Sequence, residues 1–98
     1  MTHSLEERVI DALEGVIDPE TLQDVWHMKL ITDIRVTGDG EVFLTFRPSS
    51  AACPLGFTLG VKIKEAVQRV EGVRKVHVEV RRFMHARRLE QLLEEMDR

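Results

Sequence analysis

The chain predicts a small α/β domain of the two-layer α+β kind: a three-stranded sheet with helices packed on one face, in the order α-β-β-α-β-α. Three observations carry that expectation. Three segments place apolar residues at helical spacing, three others alternate apolar with polar, and 98 residues leave room for one core. Residues 1–98 are therefore read as a single domain, with no linker, repeat or low-complexity segment.

Ser4-Leu5-Glu6-Glu7 has the form of a capping box, and Leu5, Val9, Ala12, Leu13 and Val16 follow on one helical face up to Gly15. This predicts a first helix over about residues 4 to 15. Val16 to Lys29 has no clean period and contains Asp18-Pro19-Glu20-Thr21, a turn sequence, so it reads as a loop. Leu30, Ile34 and Val36 then oppose Asp33, Arg35 and Thr37, while Val42, Leu44 and Phe46 oppose Thr45 and Arg47. Gly38-Asp39-Gly40 joins the two runs as a β-hairpin with one buried face, and Ile31 and Phe43 interrupt the polar face.

Leu55, Leu59, Ile63, Ala66, Val67 and Val70 form the stripe of a second helix closed by Gly72. Val76, Val78 and Val80 alternate with Lys75, His77 and Glu79 in a third strand, and Leu89, Leu92, Leu93 and Met96 mark a C-terminal helix over 85–97. The even-numbered strand residues are expected beneath the helices. The opposite face, with Arg35, Arg47, Lys75, His77, Glu79 and Arg81, is expected to be solvated.

Cys53 is the single cysteine. Pro54 suits the first position of the second helix, where a missing N–H costs nothing, which places Cys53 at the cap. Free backbone N–H groups and the positive helix end favour thiolate there, the form that attacks electrophiles and binds metal. The competing structural role is a small apolar residue filling a gap under the helix. Asp18 before Pro19 suits a turn initiator bonding nearby N–H groups. Trp26 suits a cap on the core better than a partner anchor. His3, His27, His77 and His85 show no zinc-site spacing and read as surface or capping residues.

The net charge of −3 disfavours nucleic-acid binding, and neither a GXXG loop nor an RNP aromatic pattern is present. No apolar run is long enough to span a membrane, and the N-terminus lacks the pattern of a secretory signal. A single cysteine fits a reducing cytoplasm. Charge is unevenly spread: Arg74, Lys75, Arg81, Arg82, Arg87 and Arg88 cluster, whereas the last nine residues are acidic.

Asp18-Pro19-Glu20, the hairpin, Ala52-Cys53-Pro54, the amphipathic helix and Gly72-Val73-Arg74-Lys75-Val76-His77-Val78 occur in one order with compact spacing. Over about residues 5–82 the chain resembles the iron–sulfur cluster assembly domain family that includes the SufT and PaaD proteins. The resemblance implies a small cytoplasmic accessory factor in iron–sulfur cluster assembly or maturation, not an enzyme, which contacts carriers or clients. It carries the family's cysteine onto Cys53, followed by Pro54, and its acidic loop motif onto Asp18, Pro19 and Glu20. Two departures stand out. The family's Leu-Gly-Leu-like segment is Met28-Lys29-Leu30 here, and its tail rich in proline and tryptophan is replaced by Phe83-Met84-His85-Ala86-Arg87 and a charged helix.

Clusters normally take four ligands, mostly thiolates, so one cysteine implies no stably bound cofactor. Cys53 can hold a transient cluster only as one member of a shared site, in a homodimer or with a carrier. The alternative is a thiol-dependent enzyme or redox sensor, which lacks a resolving cysteine and an evident base. If the acidic motif belongs to the site, Asp18 or Glu20 is expected within roughly 10 Å of the Cys53 sulfur, a Debye length.

Overall fold

A mixed sheet in the order β1-β2-β3 organises the molecule. The computed structural model describes residues 4–18, 21–48 and 55–96. Its elements are α1 (Leu5–Glu14), β1 (Ile31–Val36), β2 (Glu41–Phe46), α2 (Leu55–Gln68), β3 (Lys75–Val80) and α3 (Ala86–Glu95), in the expected order. Ser4 caps α1, its hydroxyl oxygen accepting the Glu7 N–H at 3.2 Å. The hairpin turn closes where Thr37 N donates to Glu41 O and Gly40 N to Thr37 O.

β2 and β3 run parallel and in phase, with Val42 opposite Val76, Leu44 opposite Val78 and Phe46 opposite Val80. In-phase partners share a face. Val42, Leu44, Phe46, Val76 and Val80 are accordingly buried, and Val78 is half-buried against the core. They join Val9 and Leu13 of α1, Leu59, Ile63 and Val67 of α2, and Leu89 and Leu93 of α3 in one cluster. The expected register of these two strands is the observed one.

β1 departs from the expected alternation. It pairs antiparallel with β2, Thr32 opposite Thr45 but Arg35 opposite Phe43, so one extra residue is accommodated between them. Asp33 takes a left-handed φ of 54° at that point. A bulge inverts the side-chain phase of a strand. Ile31, opposite Phe46, therefore faces the core at 3% exposure and does not interrupt the polar face. Phe43 does interrupt it: its ring stacks on that of His77 at 4.5 Å and 10°. That face is not uniformly solvated either, since Thr45 is buried and the surface is a concave groove of about 770 Å³.

Two boundaries also shift. α2 stops at Gln68 and a turn follows, within which Gly72 adopts φ 98°. α3 starts at Ala86 and lies against β3 and α2, its Glu90 carboxylate accepting the Val80 N–H at 2.9 Å. Lys64 of α2, 1% exposed, donates to the Leu93 carbonyl, bringing a positive charge to the C-terminal end of α3.

Gly40 and Gly72 meet where the hairpin turn crosses the α2–β3 turn. Gly40 has φ 87°, its carbonyl accepts the Arg74 N–H at 2.8 Å, and a Cβ there would lie 2.4 Å from the Gly72 oxygen. Left-handed backbone alone costs a non-glycine residue about 1–2 kcal/mol. Gly40→Ala should lose more than about 2 kcal/mol once the backbone clash is added; chemical denaturation measures it, and Gly38→Ala, with open space around it, is the matched control.

Candidate functional site

The antiparallel and parallel pairings bring four segments to one end of the sheet. Ile31, Phe46 and Val80 lie on a single line across the strands. Just beyond it, Arg47 N donates to Leu30 O at 2.8 Å and Arg81 N to Phe46 O at 3.0 Å. The 16–30 loop, the chain leaving β2 and the β3–α3 connection therefore share this edge. The start of α2 joins them: Phe57 packs edge-on against Phe83 at 5.4 Å and beside His85 at 5.8 Å.

Of the residues expected to form the site, Asp18 is described. Cys53, Pro54, Pro19 and Glu20 lie outside the described residues, and so does the expected approach of a carboxylate to the sulfur. The topology behind that expectation is present, because the loop and the end of β2 are hydrogen-bonded at the same edge. Asp18 is 3% exposed. Its N–H donates to Gln23 O at 2.9 Å and its carbonyl accepts the Leu22 N–H at 2.8 Å. An Ile17–Asp24 bridge and a Val25-to-Val16 hydrogen bond close the base of this turn. Two apolar side chains of this turn are exposed, Ile17 at 44% and Leu22 at 78%. Asp18 thus occupies a built turn, as aspartate before proline does.

Two features were not evident in the sequence. Asp24 and His27 form a compact pair: His27 Nδ1 lies 2.7 Å from Asp24 Oδ1, and the His27 N–H donates to Oδ2 at 2.8 Å. Its signal is an Asp-x-x-His spacing within a turn, where an aspartate oxygen takes a nearby backbone N–H. With Nδ1 engaged, the exposed ring presents Nε2 outward. His27, Trp26, Lys29, Ile31 and Thr32 line a groove of about 330 Å³. Trp26 is half-buried and packs on the core while forming a wall of that groove. The second feature is His85, which precedes α3 and sits among the aromatic rings at the start of α2. Among the described residues, no group of three or more His, Cys, Asp or Glu side chains is arranged to hold a metal.

Lys29 has φ 60°, backbone that favours glycine. Lys29, in the middle of Met28-Lys29-Leu30, thus holds a conformation that glycine adopts without strain. Lys29→Gly should raise stability by up to about 1 kcal/mol, relief of left-handed strain exceeding the added unfolded-state entropy; a fall in denaturation midpoint would refute this.

The His27 backbone N–H holds the Asp24 carboxyl below its ordinary range; partial burial opposes this, and the His27 ring assists it. A depressed folded-state pKa stabilises the fold above the unfolded value and ceases to do so as pH falls through the folded one. The stability difference between wild type and Asp24→Ala should therefore shrink on acidification from roughly pH 5 to pH 2, as read by denaturant titration at each pH. A difference that widened would reverse the assigned sign.

A family model described as iron–sulfur cluster assembly protein matches residues 6–80. The chain is 32% identical over 92 residues to an uncharacterized protein of Methanocaldococcus jannaschii, covering 94% of this chain and 97% of that one. It is 30% identical over 80 residues to the Fe-S protein maturation auxiliary factor YitW of Bacillus subtilis, covering 82% and 78%. The fold resembles the crystal structure of a DUF59 domain from Bacillus anthracis, with TM-score 0.72, 22% identity and coverage of 94% and 90%. Among the described residues no helix is long and apolar enough to cross a membrane. With three quarters of its length matched by one family model, over a segment that holds all three strands and the 16–30 loop, the chain belongs to the iron–sulfur cluster assembly protein family.

Proposed function

We propose that the chain is a cytoplasmic accessory factor in the maturation of iron–sulfur proteins, working by contact with carriers or clients and not by turnover of a small substrate. The family match over residues 6–80 carries this reading. The convergence of the 16–30 loop, the end of β2, the start of α2 and the β3–α3 connection supports it, since several segments then bear on one partner surface. Cys53 lies in the sequence between the end of β2 and the start of α2.

The cluster is cargo in this scheme. It normally takes four ligands, and one thiolate per chain supplies one of them. The remaining ligands come from a carrier, a client or a second copy, and shared ligation keeps the cargo transferable. Asp18, Pro19 and Glu20 supply the acidic loop motif of this scheme, and Pro54 follows the cysteine in the sequence.

Cys53→Ser tests this directly. The variant should retain the far-UV circular dichroism and denaturation midpoint of wild type, yet fail to support activation of an iron–sulfur client in a maturation assay. Anaerobic reconstitution with iron and sulfide should give visible absorption only in wild type, at a size above the monomer or in the presence of a carrier. Full client activation by Cys53→Ser would remove the thiol from the scheme.

A further inference from the structure

We propose that the surface around the β3–α3 connection, built from Arg47, Arg81, Arg82, Arg87 and Arg88 about an exposed Met84, docks a short acidic segment of a partner protein. Arg47 follows Phe46 and Arg81 follows Val80, and because those two residues pair in register the arginines leave the sheet side by side. Arg82, Arg87 and Arg88 are exposed, and Met84 stands 71% exposed between them in sequence. Glu79 pairs with Arg81 at 2.8 Å. Among the described residues, no carboxylate pairs with Arg47, Arg82, Arg87 or Arg88. Arg47 and Arg81 thus leave the sheet together and Arg82, Arg87 and Arg88 follow through the β3–α3 connection into the first turn of α3, with Glu79 and Glu90 beside Arg81, on a chain whose net charge is −3.

The arrangement works against the fold that carries it. Arg87 and Arg88 occupy the first turn of α3, where the helix dipole disfavours cations, while Glu94 and Glu95 end it, where carboxylates are disfavoured. Arg82 holds φ 55°, a conformation that glycine adopts without strain. Repulsion and the dipole term are offset when anionic groups meet the patch. The anion is a short protein segment for two reasons. Glu79 and Glu90 line the groove beside Arg81 and Glu94 lies farther along α3, so an extended polyanion tracking past the patch meets like charge. Met84 supplies an unbranched apolar contact suited to a side chain, which a phosphate backbone lacks.

The test measures fluorescence anisotropy of a labelled peptide of glutamate and aspartate around a central leucine, titrated with the full chain at low salt. A lysine peptide of the same length, an oligothymidylate and phosphatidylserine vesicles serve as competitors. Binding of the acidic peptide should weaken with salt, and Arg82→Glu or Arg88→Glu should reduce its affinity by about tenfold or more. Met84→Ala should reduce affinity without changing the salt dependence. Arg87→Glu should lose affinity while keeping or raising the thermal midpoint, because it relieves the helix dipole; this separates docking from folding. Cys53→Ser should bind as wild type, so this result stands or falls apart from the maturation reading. Acidic-peptide binding no tighter than that of the lysine peptide, indifference to the arginine reversals, or displacement by oligothymidylate or vesicles would overturn the proposal. Self-association through Glu94 and Glu95 that the peptide fails to compete would do the same.

Discussion

The in-phase parallel pairing of β2 with β3 is the constraint from which the rest of the architecture follows. Parallel neighbours cannot be joined by a tight turn, so a crossover is obligatory, and α2 provides it across the apolar face. Phase matching puts Val42, Phe46, Val76 and Val80 on that face together, and the helices cover it with Val9, Leu13, Ile63, Val67, Leu89 and Leu93. The same pairing makes β2 and β3 end at one edge. The described residues that leave β2, begin α2 and lead from β3 toward α3 then meet at that edge. Topology thus concentrates the loops before any particular side chain is considered.

Periodicity made most of this legible. Ser4, Gly15, Gly38, Asp39 and Gly40 behave as their chemistry dictates, and the alternation in β2 and β3 gives the correct buried faces because those strands are regular. The reading failed at β1 because Asp33 inserts a bulge that no glycine announces. Ile31 and Ile34 then share a face although they are three residues apart, a spacing that alternation assigns to opposite sides. The Asp24–His27 pair escaped notice for a related reason. It is made by a turn whose geometry depends on the Ile17–Asp24 bridge, and a search for ligand spacing on helices passes over it.

The C-terminal helix shows how packing overrides local preference. His85 gives α3 no side-chain cap, and the charges at both ends oppose the dipole. Leu89 and Leu93, both essentially fully buried, and Lys64 reaching the Leu93 carbonyl hold it in place. Burying two leucines is worth about 3–6 kcal/mol, which exceeds dipole terms of about 0.3–1 kcal/mol each. The exposed charges on α3 are therefore free to vary without loss of the helix.

Backbone strain is divided between the two ends of the sheet in a telling way. At the hairpin end, positive φ falls on Gly40 and Gly72, where it costs little. At the opposite end the same region is occupied by Leu22, Lys29 and Arg82, with Asp33 just inside β1. A non-glycine residue in that region costs about 1–2 kcal/mol, a substantial fraction of a stability on the order of 5–15 kcal/mol. Glycine would relieve each cost and would delete a side chain. Leu22 and Arg82 are exposed, and Lys29 lines the Trp26 groove. Strained backbone persists where side-chain placement matters more than local stability. The edge with the loop, the start of α2 and the arginine surface is thus distinguished twice, once by topology and once by the non-glycine residues that hold left-handed backbone there.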